Sequence, residues 1–114
     1  MAVSADSAEG AALPALDAEG FLLDHRQWSP AVAERLARRE GIVLGRAHWE
    51  VLDLLRAYYN AYDSSPAMRA LVKYCRLHLG DEKGRSIYLL KLFPGSPAKI
   101  GSKLAGLPKP ANCL

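Results

Sequence analysis

Arg46-Ala47-His48-Trp49-Glu50-Val51-Leu52-Asp53-Leu54-Leu55-Arg56-Ala57-Tyr58-Tyr59-Asn60-Ala61-Tyr62 is the stretch that decides the fold class of this chain. Trp49, Leu52, Leu55, Tyr59 and Tyr62 recur at helical spacing, and Val51, Leu54 and Tyr58 widen the apolar face. A long central helix in a helical domain follows. At this spacing the aromatic residues belong to the core, with base stacking by Tyr58, Tyr59 or Tyr62 as the alternative.

Helical punctuation continues on both sides. Upstream, Ser29 suits an N-cap, Pro30 the first helical position and Gly41 a stop, so a helix is expected over about 30–40. Val32 and Leu36 face inward there, and Arg35, Arg38 and Arg39 face water. Downstream, Ser65-Pro66 repeats the start signal, and Met68, Leu71, Val72, Cys75 and Leu79 trace a stripe ending at Gly80, which makes Cys75 a core residue. Residues 81–84 read as a turn, 85–93 as a short helix stopped by Pro94, and Ser96-Pro97 as the start of a last helix reaching about Ala105. Gly101 and Ala105 give that helix a thin face for close packing. Near the N-terminus, residues 13–16 and 21–23 read as two short extended pieces around a turn at 17–20, with Pro14 confining the first to an edge. Residues 1–11 are small and polar and are expected to form a disordered tail. The expected fold is mainly α: a compact bundle of about five short helices with a small N-terminal β-hairpin. One domain spans 12–106, and a mobile arm spans 107–114.

With 114 residues, half of them hydrophobic and 24% charged, the chain is long enough for one packed core and too short for two. No apolar run approaches the roughly 20 residues that span a bilayer, and no basic stretch followed by an apolar one opens the chain. A soluble cytoplasmic protein without a membrane partner is the expectation. Cys75 and Cys113 form no C-x-x-C pair, so neither a disulfide scaffold nor a zinc knuckle is indicated. Cys75 and His78, three apart, offer two ligands without a third, and no metal or cofactor is expected.

The charge is distributed unevenly. Every Asp and Glu falls at or before Glu82, whereas Lys83, Arg85, Lys91, Lys99, Lys103 and Lys109 follow it. The net +3 of the chain therefore divides into −3 before residue 83 and +6 after it. Such a bias attracts acidic or phosphate-rich partners and favours thiolate over thiol. Lys99, Lys103 and Lys109 are the candidates for partner or phosphate contact. The segments 66–79 and 85–93 also have the length of a helix-turn-helix, with Lys83, Arg85 and Lys91 suited to phosphates, which keeps a DNA-binding regulator as an alternative.

The chain ends in Gly106-Leu107-Pro108-Lys109-Pro110-Ala111-Asn112-Cys113-Leu114. Gly106 suits the left-handed close of a helix, and two prolines disfavour both helix and sheet beyond it. Extended, residues 107–113 carry the Cys113 thiol on the order of 20 Å from the last helix, suited to entering another protein's pocket. A free thiol with a pKa of about 8.5 is a few per cent thiolate at neutral pH. The terminal carboxylate at Leu114 lowers that fraction, and Lys103 and Lys109 raise it.

These residues resemble the DsrC/TusE family of small sulfur-handling proteins from about Leu16 to Leu114. The landmarks are Asp17-Ala18-Glu19-Gly20-Phe21-Leu22, Gln27-Trp28-Ser29-Pro30, His48-Trp49, Leu55-Arg56-Ala57-Tyr58-Tyr59, Leu92-Phe93-Pro94 with Pro97-Ala98-Lys99, and Ala105 to Pro110 before Cys113. The resemblance implies a helical body with a small N-terminal hairpin and a flexible C-terminal arm. Members that work with sulfite reductase carry a second arm cysteine ten positions before the penultimate one, where this chain has Lys103. The chain therefore resembles the single-cysteine, TusE-like branch. By that resemblance Cys113 accepts persulfide sulfur from a TusBCD-like donor and passes it toward an MnmA-like thiouridylase with tRNA, a sulfurtransferase role in wobble-uridine 2-thiolation. Ala111-Asn112 stands where Thr-Gly or Pro-Gly is frequent, and Gly45 where a Thr cap is often found. The alternative is a DsrC-like regulatory or redox protein in which Cys75 reaches Cys113, or one that binds DNA.

Overall fold

The computed structural model describes residues 13–111. The expected tail at 1–11 and Cys113, the expected nucleophile, lie outside the described residues. Five helices follow a single 3-10 turn at His25–Gln27: α1 (Pro30–Arg39), α2 (Arg46–Tyr62), α3 (Met68–Leu79), α4 (Ser86–Leu92) and α5 (Pro97–Leu104). The start signals act as their chemistry requires. Ser29 Oγ accepts from the Val32 N–H at 3.2 Å and Ser96 Oγ from the Lys99 N–H at 3.3 Å, each just ahead of a proline at the first helical position. Ser65-Pro66 behaves differently. Pro66 is buried, α3 begins two residues later with Ala67 at the N-cap, and the Ser65 hydroxyl is used elsewhere.

The core gathers Leu36, Val51, Leu52, Leu55, Leu71, Cys75, Leu89, Phe93, Leu104 and Leu107, each at most 2% exposed. Although α2 is the longest helix, the eight-residue α5 packs against all four others. Small residues make this possible: Ala98, Gly101, Ser102 and Ala105 are fully buried, and a Cβ on Gly101 would stand 2.9 Å from Leu55 Cδ1. His48 joins two helix ends. Its Nδ1 accepts from the Gly45 N–H at 3.0 Å, which leaves Nε2 to donate to the Leu92 carbonyl, also at 3.0 Å.

Two expectations are corrected. The N-terminal hairpin is reduced to one antiparallel bridge between Leu16 and Leu22, and no strand forms among the described residues. The Asp17 carboxylate takes the Glu19 and Phe21 N–H groups at 2.9 Å, closing a side-chain turn, while Pro14 has no N–H with which to extend the ladder. The aromatic face of α2 is also only partly core. Tyr58 and Tyr59 are half-buried, and Tyr62 is 60% exposed in the last turn, its ring 4.6 Å from that of Tyr58.

Candidate functional site at the root of the C-terminal segment

The end of α5 is closed twice by backbone. The Gly106 N–H donates to the Lys103 carbonyl at 3.1 Å and the Leu107 N–H to the Ser102 carbonyl at 2.9 Å, with Gly106 left-handed at φ +75°. This pairing leaves few helix-end carbonyls unsatisfied and turns the chain sharply out of the helix. Side chains from distant elements take the two intervening carbonyls. Trp28 Nε1 donates to Leu104 O at 2.9 Å, and the Arg56 guanidinium donates to Ala105 O at 2.7 Å while lying 4.1 Å from the Trp28 ring centroid. Burial lowers the pKa of Arg56. A Cβ on Gly106 would overlap the Trp28 ring, so glycine is required here by both φ and space.

Beyond this root, the segment lies along the body. Leu107 is 1% exposed and Pro110 is buried. The Ser65 hydroxyl donates to Pro108 O at 2.6 Å, and Lys109 pairs with the half-exposed Glu19 carboxylate at 3.2 Å. Residues 107–110, counted above as part of a free reach, are thus in contact with the body in this structure, and a full-length swing from Gly106 would have to uncover Leu107 and Pro110. Ala111 is exposed and borders an apolar groove lined by Ala67, Met68, Leu90, Pro97 and Ala98.

The three candidate lysines occupy different settings. Lys109 sits on the segment itself. Lys103, the residue standing at the second-cysteine position, is only 13% exposed, pairs with Glu40 at 3.0 Å and lies 5.2 Å from the Phe21 ring centroid. Lys99 is half-buried in the first turn of α5. Cys75 is fully buried, and desolvation pushes its thiol up to about 11. Such a thiol is unreactive at neutral pH. Among the described residues no three His, Cys, Asp or Glu side chains form a group able to hold a metal ion.

Trp28, Arg56 and Ser65 stand out as the residues that hold the segment's root, yet spacing could not assign them this work. Trp28 meets its partner 76 positions away, Arg56 49 away and Ser65 43 away. Their sequence signals were membership, for Trp28 and Arg56, in the strings that carry the family resemblance and, for Ser65, a helix-start pair with Pro66.

Comparison with known proteins places this geometry in a family. Residues 9–114 match the model of the DsrC-like proteins. The chain is 53% identical over 98 residues to Sulfurtransferase TusE of Sodalis glossinidius, covering 86% of this chain and 91% of that protein. It is 51% identical over 100 residues to the TusE of Pectobacterium atrosepticum, covering 88% and 92%. Among solved structures, DsrC of Allochromatium vinosum superposes with a TM-score of 0.79 at 43% identity, covering 87% of this chain and 88% of that one. The oxidised γ-subunit of dissimilatory sulfite reductase, DsrC, from Archaeoglobus fulgidus gives 0.75 at 39% identity, covering 89% and 92%. An overlap of this extent, across the helical body and the Gly106 turn alike, shows that the chain belongs to the DsrC-like protein family.

Proposed function

We propose that this chain is a sulfur-relay protein of the TusE type, a sulfurtransferase in the sense that it carries persulfide sulfur between partner proteins. Cys113 is the carrier. It accepts sulfur from a TusBCD-like donor and passes it toward an MnmA-like thiouridylase acting on the wobble uridine of tRNA. The observation that carries this reading is the pairing of about 50% identity to TusE proteins with a segment that is rooted at Gly106 and carries Cys113.

The transfer balances without an outside oxidant. The Cys113 thiolate attacks the outer sulfur of a donor persulfide, R–S–SH. One S–S bond forms as Cys113–S–SH, the donor's S–S bond breaks, and the donor leaves as the thiolate R–S⁻. The next acceptor thiolate repeats the exchange and returns Cys113 to a thiolate. Cys75 takes no part, because a fully buried thiol is neither ionised nor within reach of a partner. The same burial weighs against an intrachain Cys75–Cys113 switch, which would require α3 to open.

Movement of the segment is part of the proposal. The Ser65–Pro108 and Lys109–Glu19 contacts are at the surface and are open to exchange for contacts with a partner. Exposed ion pairs contribute at most about 1 kcal/mol, so a partner offering carboxylates or phosphates to Lys109 readily replaces Glu19. Lys99 extends the same electropositive end toward a partner or tRNA, and Lys103 joins it where a partner displaces Glu40. Reconstitution tests the reading: purified TusBCD, MnmA, tRNA and a cysteine desulfurase should form 2-thiouridine at a rate that depends on this chain. Cys113→Ser should remove that dependence and Cys75→Ser should keep it. Full stimulation by Cys113→Ser would overturn the assignment.

A further inference from the structure

The apolar groove bordered by Ala111 continues into a second depression. Met68 and Ser86 line both, and the second is bounded by Arg69, Val72, Lys73 and Arg76 along one flank of α3. The two have volumes of about 460 and 390 Å³, and no carboxylate lines either. Arg69, Lys73 and Arg76 follow one another at intervals of four and three, which stacks their charges on one helix face. Arg76 donates to the Gly84 carbonyl at 3.2 Å, and among the described residues Arg69 and Lys73 pair with no carboxylate. Elsewhere on the body, Lys83, Lys103 and Lys109 each meet a Glu. The continuous trough therefore has a basic wall along α3, an apolar floor of Met68, Val72, Leu90 and Pro97, and the last described residue of the C-terminal segment at its far edge.

Resting on the relay reading above, we infer that this trough is the docking surface for the protein that loads Cys113, and that the donor fills it with an amphipathic segment whose carboxylates flank an apolar ridge. Charge complementarity along α3 selects the acidic flank. The floor selects protein over nucleic acid: methionine and leucine surfaces gain by covering apolar side chains, whereas a phosphate backbone would leave them wet. Docking here seats the donor against Ala111, two residues before Cys113 in sequence. The basic wall speeds encounter, and the floor holds the complex while sulfur is exchanged.

The test compares wild type with Arg69→Glu/Lys73→Glu, two exposed positions whose reversal leaves the core untouched, and with the charge-keeping Arg69→Lys/Lys73→Arg. Persulfide on Cys113 is followed by intact mass during loading from purified TusBCD charged with sulfur, and separately from glutathione persulfide. The reversed variant should load from TusBCD about tenfold or more slowly at low donor concentration, with loss of the salt dependence seen for wild type. It should load from glutathione persulfide at the wild-type rate, and the charge-keeping variant should load normally from both. Equal loading of wild type and reversed variant by TusBCD overturns the docking surface and leaves the relay standing. A reversed variant that loads normally but loses affinity for tRNA overturns it in favour of a nucleic-acid contact. A wild-type chain that TusBCD cannot load overturns both readings, and glutathione persulfide then shows whether Cys113 holds sulfur at all.

Discussion

Two regions of this small chain lead to a thiol, and the helical body treats them in opposite ways. Around Cys75, the inner face of α3 is fully buried with Leu71, and desolvation raises the thiol to about 11. Toward Cys113, the body invests its contacts in the root of the segment and thins them outward. Residues 104–107 take part in four hydrogen bonds at the helix end, then come one hydroxyl, one ion pair and the buried Pro110, then the exposed Ala111. The contrast is between a thiol enclosed by the core and a segment whose first residues are fixed as it leaves the last helix. The first region suppresses chemistry by burial, and in the relay proposed above the second directs it from a root fixed at Gly106 and Leu107.

The hardest blow to the comparison is Gly106→Val. It forces a β-branched residue into a left-handed turn and against the Trp28 ring, so it should cost about 2–5 kcal/mol. Chemical unfolding would measure that loss, and an unchanged midpoint would mean that the root is not a rigid pivot. Cys75 tests the other side through pH. Its unfolded thiol ionises near 9.0 and its folded thiol near 11, so the unfolded state sheds its proton first. Stability from this group is intact below about pH 9 and falls by up to about 3 kcal/mol as pH rises to 11. Urea midpoints between pH 8 and 10.5 should therefore drop more steeply for wild type than for Cys75→Ala, and parallel curves would refute the buried-thiol picture.

Arg56→Met separates anchoring from carrying. The guanidinium's bond to Ala105 O and its stacking on Trp28 are lost, at about 1–3 kcal/mol, with a methionine able to fill the space. Loading of Cys113 by glutathione persulfide should survive while backbone amides of 105–107 lose protection in hydrogen exchange; unchanged protection would remove Arg56 from the pivot. Ser102→Ala is the smallest effect. Among the described residues its buried hydroxyl has no hydrogen-bond partner, so its removal should change stability by no more than about 1 kcal/mol, toward greater stability. A clear loss would show that the hydroxyl does make a bond at the pivot.

Most of the helical body was legible in the sequence because its signals are local. The apolar stripe of α3 placed Cys75 in the core, and Ser29-Pro30 and Ser96-Pro97 marked helix starts within a residue. Local signals also misled. Ser65-Pro66 has the form of a cap, but the Ser65 hydroxyl serves Pro108, and two short extended pieces around residues 17–20 suggested a hairpin that a side-chain turn reduces to one bridge. The prominence of α5 was hidden by its length, since thin residues show their value only when four helices close on them. Residues at the root met partners far along the chain, beyond the reach of any periodicity.

Peptide mapping after sulfur loading tests the central claim most directly. Wild-type protein incubated with a cysteine desulfurase, cysteine and TusBCD is capped with an alkylating agent and digested, and the added sulfur is located by mass. One sulfur atom is expected on the peptide that contains Cys113 and none on the peptide that contains Cys75, with release of that sulfur on addition of MnmA. Sulfur found on Cys75, or a Cys113 peptide that never gains mass while the donor remains charged, would contradict it.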